Sequence, residues 1–104
     1  MARAFLALLL ISFALPAAAQ TGQAERGRVF AEANCASCHA VGRTGVSRLA
    51  AAPPFRTLHQ RYPVEQLAEA LAEGITTGHD AMPEFQLTPA QIDDFLAYLR
   101  TLQR

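Results

Sequence analysis

Apolar residues recur at helical spacing in three stretches of this chain, and no stretch shows the alternation of a half-buried strand. The first stretch runs from about Gln23 to Asn34, with Val29, Phe30 and Ala33 as its apolar stripe. Gly27 sits inside it at a cost of ~1 kcal/mol relative to Ala, which implies either close approach of another helix or a frayed helix start. The second stretch is "YPVEQLAEALAEGI": Val64, Leu67, Leu71 and Ile75 share one face, and Glu65, Glu69 and Glu73 another. Pro63 suits its first turn, where a missing N–H is no loss, and Gly74 marks a C-terminal stop. The third, "LTPAQIDDFLAYLRTLQR", is the best formed. Thr88 and Gln91 have the spacing of a capping box. Asp93 and Asp94 lie near its start, and Arg100 and Arg104 near its end, the signs a helix dipole favours. Ile92, Phe95, Leu96, Leu99 and Leu102 form a broad apolar stripe.

Between the helices lie two irregular stretches, Val41 to Tyr62 and Thr76 to Leu87, both punctuated by Gly and Pro. Loops this long are uncommon in a small domain; they are expected where the chain wraps something that is not protein. The pattern thus predicts an all-α domain built around a group the polypeptide does not itself supply.

The amino terminus reads differently. "MARAFLALLLISFALPAAAQ" carries Arg3, an apolar run from Ala4 to Leu15, then Pro16 and three alanines. This is the layout of a secretory signal peptide. The apolar run falls short of the ~20 residues a spanning helix needs; an uncleaved anchor is the rival reading. Cleavage after Ala19 divides the chain into a leader, residues 1–19, and a domain, residues 20–104. That domain holds eight Arg against nine Asp and Glu, and the chain has no Lys. Near neutrality without a basic cluster gives no case for nucleic acid. A domain of this size buries a modest core, and an added staple or cofactor matters to its stability.

The chemistry is concentrated in "NCASCHAVG", which holds both cysteines of the chain, Cys35 and Cys38, and the adjoining His39. A disulfide at this spacing would close a loop of a few residues and constrain the unfolded chain little. A thioredoxin-like redox pair needs a βαβ context that is missing. Structural zinc needs four ligands, and only His39, His59 and His79 could complete the set, with no second tight pair. Cys-x-x-Cys-His is the attachment signature of c-type haem. Each sulfur adds to one of two vinyl groups on one porphyrin edge, and the next residue, His39, projects under the ring toward iron. An exported chain suits that attachment.

On "GRVFAEANCASCHAVG", "APPF", "GHDAMPEF" and "IDDFLAYLRTLQ", in that order, the domain resembles the small single-haem class I cytochromes c of bacteria. The resemblance implies an all-α class I cytochrome c fold, three main helices and long loops around one covalent haem c. It also implies a periplasmic carrier of single electrons, with no catalysis of its own, that works between redox proteins such as a dehydrogenase, an oxidase or a reductase. A haem subunit of a larger complex, or a five-coordinate haem protein that binds gas or peroxide, is the alternative.

For the sixth iron ligand the candidates are Met82, His79 and His59. The resemblance favours Met82, a loop methionine followed by Pro83, with His79 as competitor and His59 at the surface. It further implies that the Pro53 carbonyl accepts from the free ring nitrogen of His39, with Pro54 as the other possibility, and that Phe55 packs against the haem. Gly27 and Phe30 match the family's first-helix pair, crossed by Tyr98 and Leu99. Phe30, Leu67, Leu71, Phe85, Phe95 and Leu99 should line the haem or the helix contacts. Arg43, Arg48, Arg56, Arg61 and Tyr62 are all candidates for the haem propionates. The chain has no Trp, so the tryptophan that mitochondrial members place at a propionate is missing. With no Lys, docking to a partner falls to arginine or to an apolar patch.

Overall fold

The computed structural model describes residues 9–13 and 17–103. Among these residues lie three α-helices: α1 (Ala17–Asn34), α2 (Leu67–Glu73) and α3 (Pro89–Thr101). A six-residue 3₁₀ helix, Phe55–Gln60, precedes α2, and a 3₁₀ turn, Val64–Gln66, leads into it. No strand occurs among the described residues, and none of their helices is long and apolar enough to cross a membrane. Residues 1–8 and 14–16 of the expected leader lie outside the described residues, as does Arg104. Within the expected leader, Leu9, Leu10, Ile11 and Phe13 are exposed.

Helix α3 forms as its sequence predicts. The Thr88 hydroxyl accepts from the Gln91 backbone N–H, and the Gln91 side chain accepts from the Thr88 N–H at 2.9 Å, so two otherwise orphaned donors are satisfied. Its stripe of Ile92, Phe95, Leu96 and Leu99 is buried, joined by Tyr98 and by Leu102 just past the helix. In the second stretch Val64, Leu67 and Leu71 are buried and Ile75 packs against the same core. Gly74 ends α2 with φ 104°, a conformation that costs a side chain dearly. Pro63 stands just before the 3₁₀ turn, not inside it, because its ψ of 133° is extended.

Helix α1 departs from expectation in two ways. It begins at Ala17, six residues before Gln23, and so runs through the cleavage point expected after Ala19. Its buried face is also different. Val29 is 53% exposed and Ala33 is exposed, whereas Gly27 and Ala31 are buried and Phe30 is half-buried. The small residues one turn apart win because α3 crosses there at close range. A Cβ added to Gly27 would collide with the backbone of Asp94 and sit 2.7 Å from the Tyr98 Cβ. This is why glycine occupies a helix interior. The Phe30 and Phe95 rings meet edge to face beside it, centroids 5.9 Å apart. Outside, Arg26 pairs with Asp94 at 3.0 Å across the same crossing.

The stretch from Val41 to Tyr62, expected to be irregular, contains the 3₁₀ helix Phe55–Gln60. Phe55 and Leu58, three apart and so eclipsed on a 3₁₀ helix, are its buried residues. Together with Leu87 they add to the core residues that helical spacing alone had marked.

Candidate functional site

The site begins where α1 ends. The Asn34 side chain donates to the Phe30 carbonyl, and the Cys35 N–H to the Ala31 carbonyl, so the chain keeps helical pitch into the Cys-x-x-Cys-His segment. The Cys38 and His39 N–H groups both donate to the Cys35 carbonyl, at 3.2 and 2.9 Å. One tight turn therefore carries both thiols and the imidazole. The two cysteines are unlinked and half-buried. Burial pushes the Cys35 thiol up to about 11, so it is held as a neutral thiol near neutral pH.

The following loop folds back and stitches itself onto this turn. The Leu49 N–H donates to the Cys38 carbonyl, the Phe55 N–H to the Ala40 carbonyl, and the Ala40 N–H to the buried Ser47 hydroxyl. Farther on, the Pro53 carbonyl lies 2.8 Å from His39 Nδ1. Pro53, not Pro54, makes the contact; the Pro54 carbonyl instead accepts from Thr57. With Nδ1 donating to a carbonyl, Nε2 is the nitrogen left with a free lone pair. The Phe55 ring lies 4.9 Å from the imidazole, and Phe95 stands 5.7 Å beyond Phe55, so the histidine is backed by aromatic packing.

Met82 stands on a different segment, the loop between α2 and α3. That loop is closed at its base: the Ile75 N–H donates to the Phe85 carbonyl and the Leu87 N–H to the Leu71 carbonyl, at 3.0 and 2.8 Å. Near its tip the Met82 N–H donates to the His79 carbonyl. Met82 is half-buried, His79 is exposed, and both line an open cavity of about 210 Å³ with Ile75, Thr77, Asp80 and Glu84. Cys35, Cys38, His39, Pro53 and Phe55 are thus brought together directly, whereas Met82 comes from the opposite end of the sequence on its own anchored loop.

His59 differs from its expected surface position. It is half-buried, and its Nδ1 is shielded from solvent with no hydrogen-bond partner among the described residues; Arg56 Nη1, on the same 3₁₀ helix, is in the same state. Nothing in the sequence announced this except the three-residue spacing of the two side chains. Arg43, Arg48, Arg61 and Tyr62 are exposed.

Two free thiols and a histidine on one turn, an oriented imidazole, and an aromatic floor suit a planar, covalently attached porphyrin. They do not suit zinc: no three His, Cys, Asp or Glu side chains converge among the described residues. The helical fold and this turn define a covalent-haem protein.

The chain belongs to the cytochrome c family, whose model matches residues 24–103. It is 35% identical to a cytochrome c6 of Nostoc sp., covering 90% of this chain and 84% of that protein. It is 33% identical to a cytochrome c-553-like protein of Synechocystis sp., over 78% of this chain and 70% of the relative. A cytochrome c6 of Picosynechococcus sp. is 34% identical over 90% and 86% of the two chains. No solved structure matches the chain with comparable significance. The fold is the all-α class I cytochrome c fold, the cofactor is covalently attached haem c, and the activity is electron transfer, not catalysis. An electron carrier works with redox partners.

Proposed function

We propose that Cys35 and Cys38 hold the haem through two thioether links, that His39 Nε2 and the Met82 sulfur are the axial iron ligands, and that the chain is a periplasmic carrier. The observation that carries this reading is the 2.8 Å contact between His39 Nδ1 and the Pro53 carbonyl. It fixes both the tautomer and the plane of the imidazole, as metal-binding histidines require. The haem supplies a one-electron couple, and a thioether ligand opposite histidine raises its potential. Met82 on a loop tied at its base by two backbone hydrogen bonds is a ligand whose position need not change with oxidation state.

Export with cleavage after Ala19 is part of the same reading. The exposed Leu9, Leu10, Ile11 and Phe13 support it, since they contribute nothing to the core. The domain then spans residues 20–104. Partners are redox proteins of the dehydrogenase, oxidase or reductase kind. The loop after His39 exposes Arg43 and Arg48 together with Val46 and Leu49, the two surface chemistries a chain without lysine can offer to a small, short-lived interface.

The decisive experiment is an absorption spectrum of the purified protein in both oxidation states. Oxidised wild type should show the weak red charge-transfer band of an iron–thioether bond. Met82→Ala should abolish that band, and His79→Ala should keep it. A high-spin, five-coordinate spectrum in the wild type would overturn the carrier reading in favour of gas or peroxide binding.

A further inference from the structure

We propose that Arg56 and His59 form the binding site for a haem propionate: a guanidinium–imidazole pair on one side of the 3₁₀ helix Phe55–Gln60 that grips one carboxylate. The proposal rests on the covalent-haem reading and goes beyond it in assigning the residues.

Two atoms of this helix are orphaned. Arg56 Nη1 and His59 Nδ1 are both removed from solvent, and neither has a hydrogen-bond partner among the described residues. A buried polar group without a partner costs about 1–3 kcal/mol, and more when it is charged. A guanidinium cannot escape the cost by losing its proton. The described ion pairs engage Arg26, Arg28 and Arg100, so no described carboxylate neutralises Arg56. The missing counterpart is therefore a hydrogen-bond acceptor outside the described side chains, and the guanidinium charge favours an anion.

Placement identifies the anion. Residues three apart eclipse on a 3₁₀ helix, so Arg56 and His59 point the same way, just as Phe55 and Leu58 do on the buried side. Arg56 follows Phe55, whose ring lies 4.9 Å from the His39 imidazole. The helix is held to its entry by Thr57, whose N–H and hydroxyl both donate to the Pro54 carbonyl. Two donors one turn apart on this helix match a carboxylate's two acceptor oxygens, and a haem brings two carboxylates on one edge. Arg43, Arg48 and Arg61, the other arginines of this loop, are exposed and need no such partner.

The test uses native holoprotein in the reduced, diamagnetic state. Nuclear Overhauser contacts should join the Arg56 guanidinium and His59 imidazole protons to the methylene protons of one propionate. In parallel, Arg56→Gln should lower the midpoint potential, because a cation beside the haem favours the reduced form. Arg56→Lys should lower it less, and the exposed control Arg48→Gln least. Propionate contacts only to other residues, or a potential as insensitive to Arg56→Gln as to Arg48→Gln, would overturn the proposal while leaving the axial ligation intact. Loss of the red thioether band in an otherwise haem-loaded protein would overturn Met82 ligation alone and leave the propionate site standing on its contacts. A chain that takes up no haem sinks both.

Discussion

The Tyr98 hydroxyl donates to the Val41 carbonyl across 2.6 Å, joining residues 57 positions apart. This bond ties the last helix to the chain two residues beyond His39. It couples the helix crossing to the site, because Tyr98 also supplies the Cβ that packs against Gly27.

Tyr98→Phe keeps the ring and removes only the donor, so denaturant unfolding of the holoprotein should show a loss of about 1 kcal/mol. The visible spectrum should not change, since no iron ligand is touched. Burial, the largest influence, raises the phenol above its ordinary pKa. The advantage of tyrosine should therefore be complete below the ordinary tyrosine value and fade as pH rises through the raised one. Equal stability of the two proteins at neutral pH would contradict this role.

Gly27→Ala sets a methyl group against the Asp94 backbone, which cannot rotate aside as a flexible side chain would. Forcing α1 from α3 should cost about 1–3 kcal/mol. Gly42 provides the comparison: a Cβ there meets nothing within 4 Å, and Gly42→Ala should stay within about 0.5 kcal/mol of wild type. Thermal midpoints of the two variants that coincide would show that the crossing tolerates a methyl group.

Thr88→Ala removes the side-chain acceptor of the α3 capping box and should cost ~1 kcal/mol. Thr88→Ser retains the oxygen and should recover most of it. If serine and alanine unfold at the same denaturant concentration, the cap contributes nothing measurable.

The Arg100 side chain donates to Glu65 at 2.9 Å, and this hydrogen bond is the main reason the Glu65 carboxyl is held below its usual range. A carboxylate with a depressed folded pKa stabilises above its unfolded value and loses that contribution as pH falls through the folded one. Wild type and Glu65→Gln should therefore differ most at neutral pH and converge in acid. Both side chains are largely exposed, so the difference should be small and shrink further with salt. A gap that widens in acid would have the wrong sign.

Local chemistry made much of this molecule legible in its sequence. Thr88 and Gln91 announce a helix start because both partners of the capping box are three residues apart. Val64, Leu67 and Leu71 announce a buried face because an amphipathic helix has one. Gly74 announces the stop because only glycine takes a positive φ cheaply. Cys35, Cys38 and His39 announce haem because attachment is a matter of spacing within one turn. What stayed hidden depended on who meets whom. Helical period alone favoured Val29 and Ala33 for burial over Gly27 and Ala31. The 3₁₀ helix at Phe55 was invisible because two apolar residues three apart are too few to register as a period.

Residues a few positions apart encode the helices, the attachment turn and hence the cofactor. The fold chose among alternatives the chain left open: α3 meets Gly27 and Ala31 rather than Val29 and Ala33, and the Pro53 carbonyl that the resemblance implies, rather than that of Pro54, faces His39. It also shields Arg56 Nη1 and His59 Nδ1 from solvent with no hydrogen-bond partner among the described residues. The physical reason is common to all three. Close approach, a shared hydrogen bond and exclusion of water are properties of pairs brought together by the fold, and no one stretch of sequence contains both members.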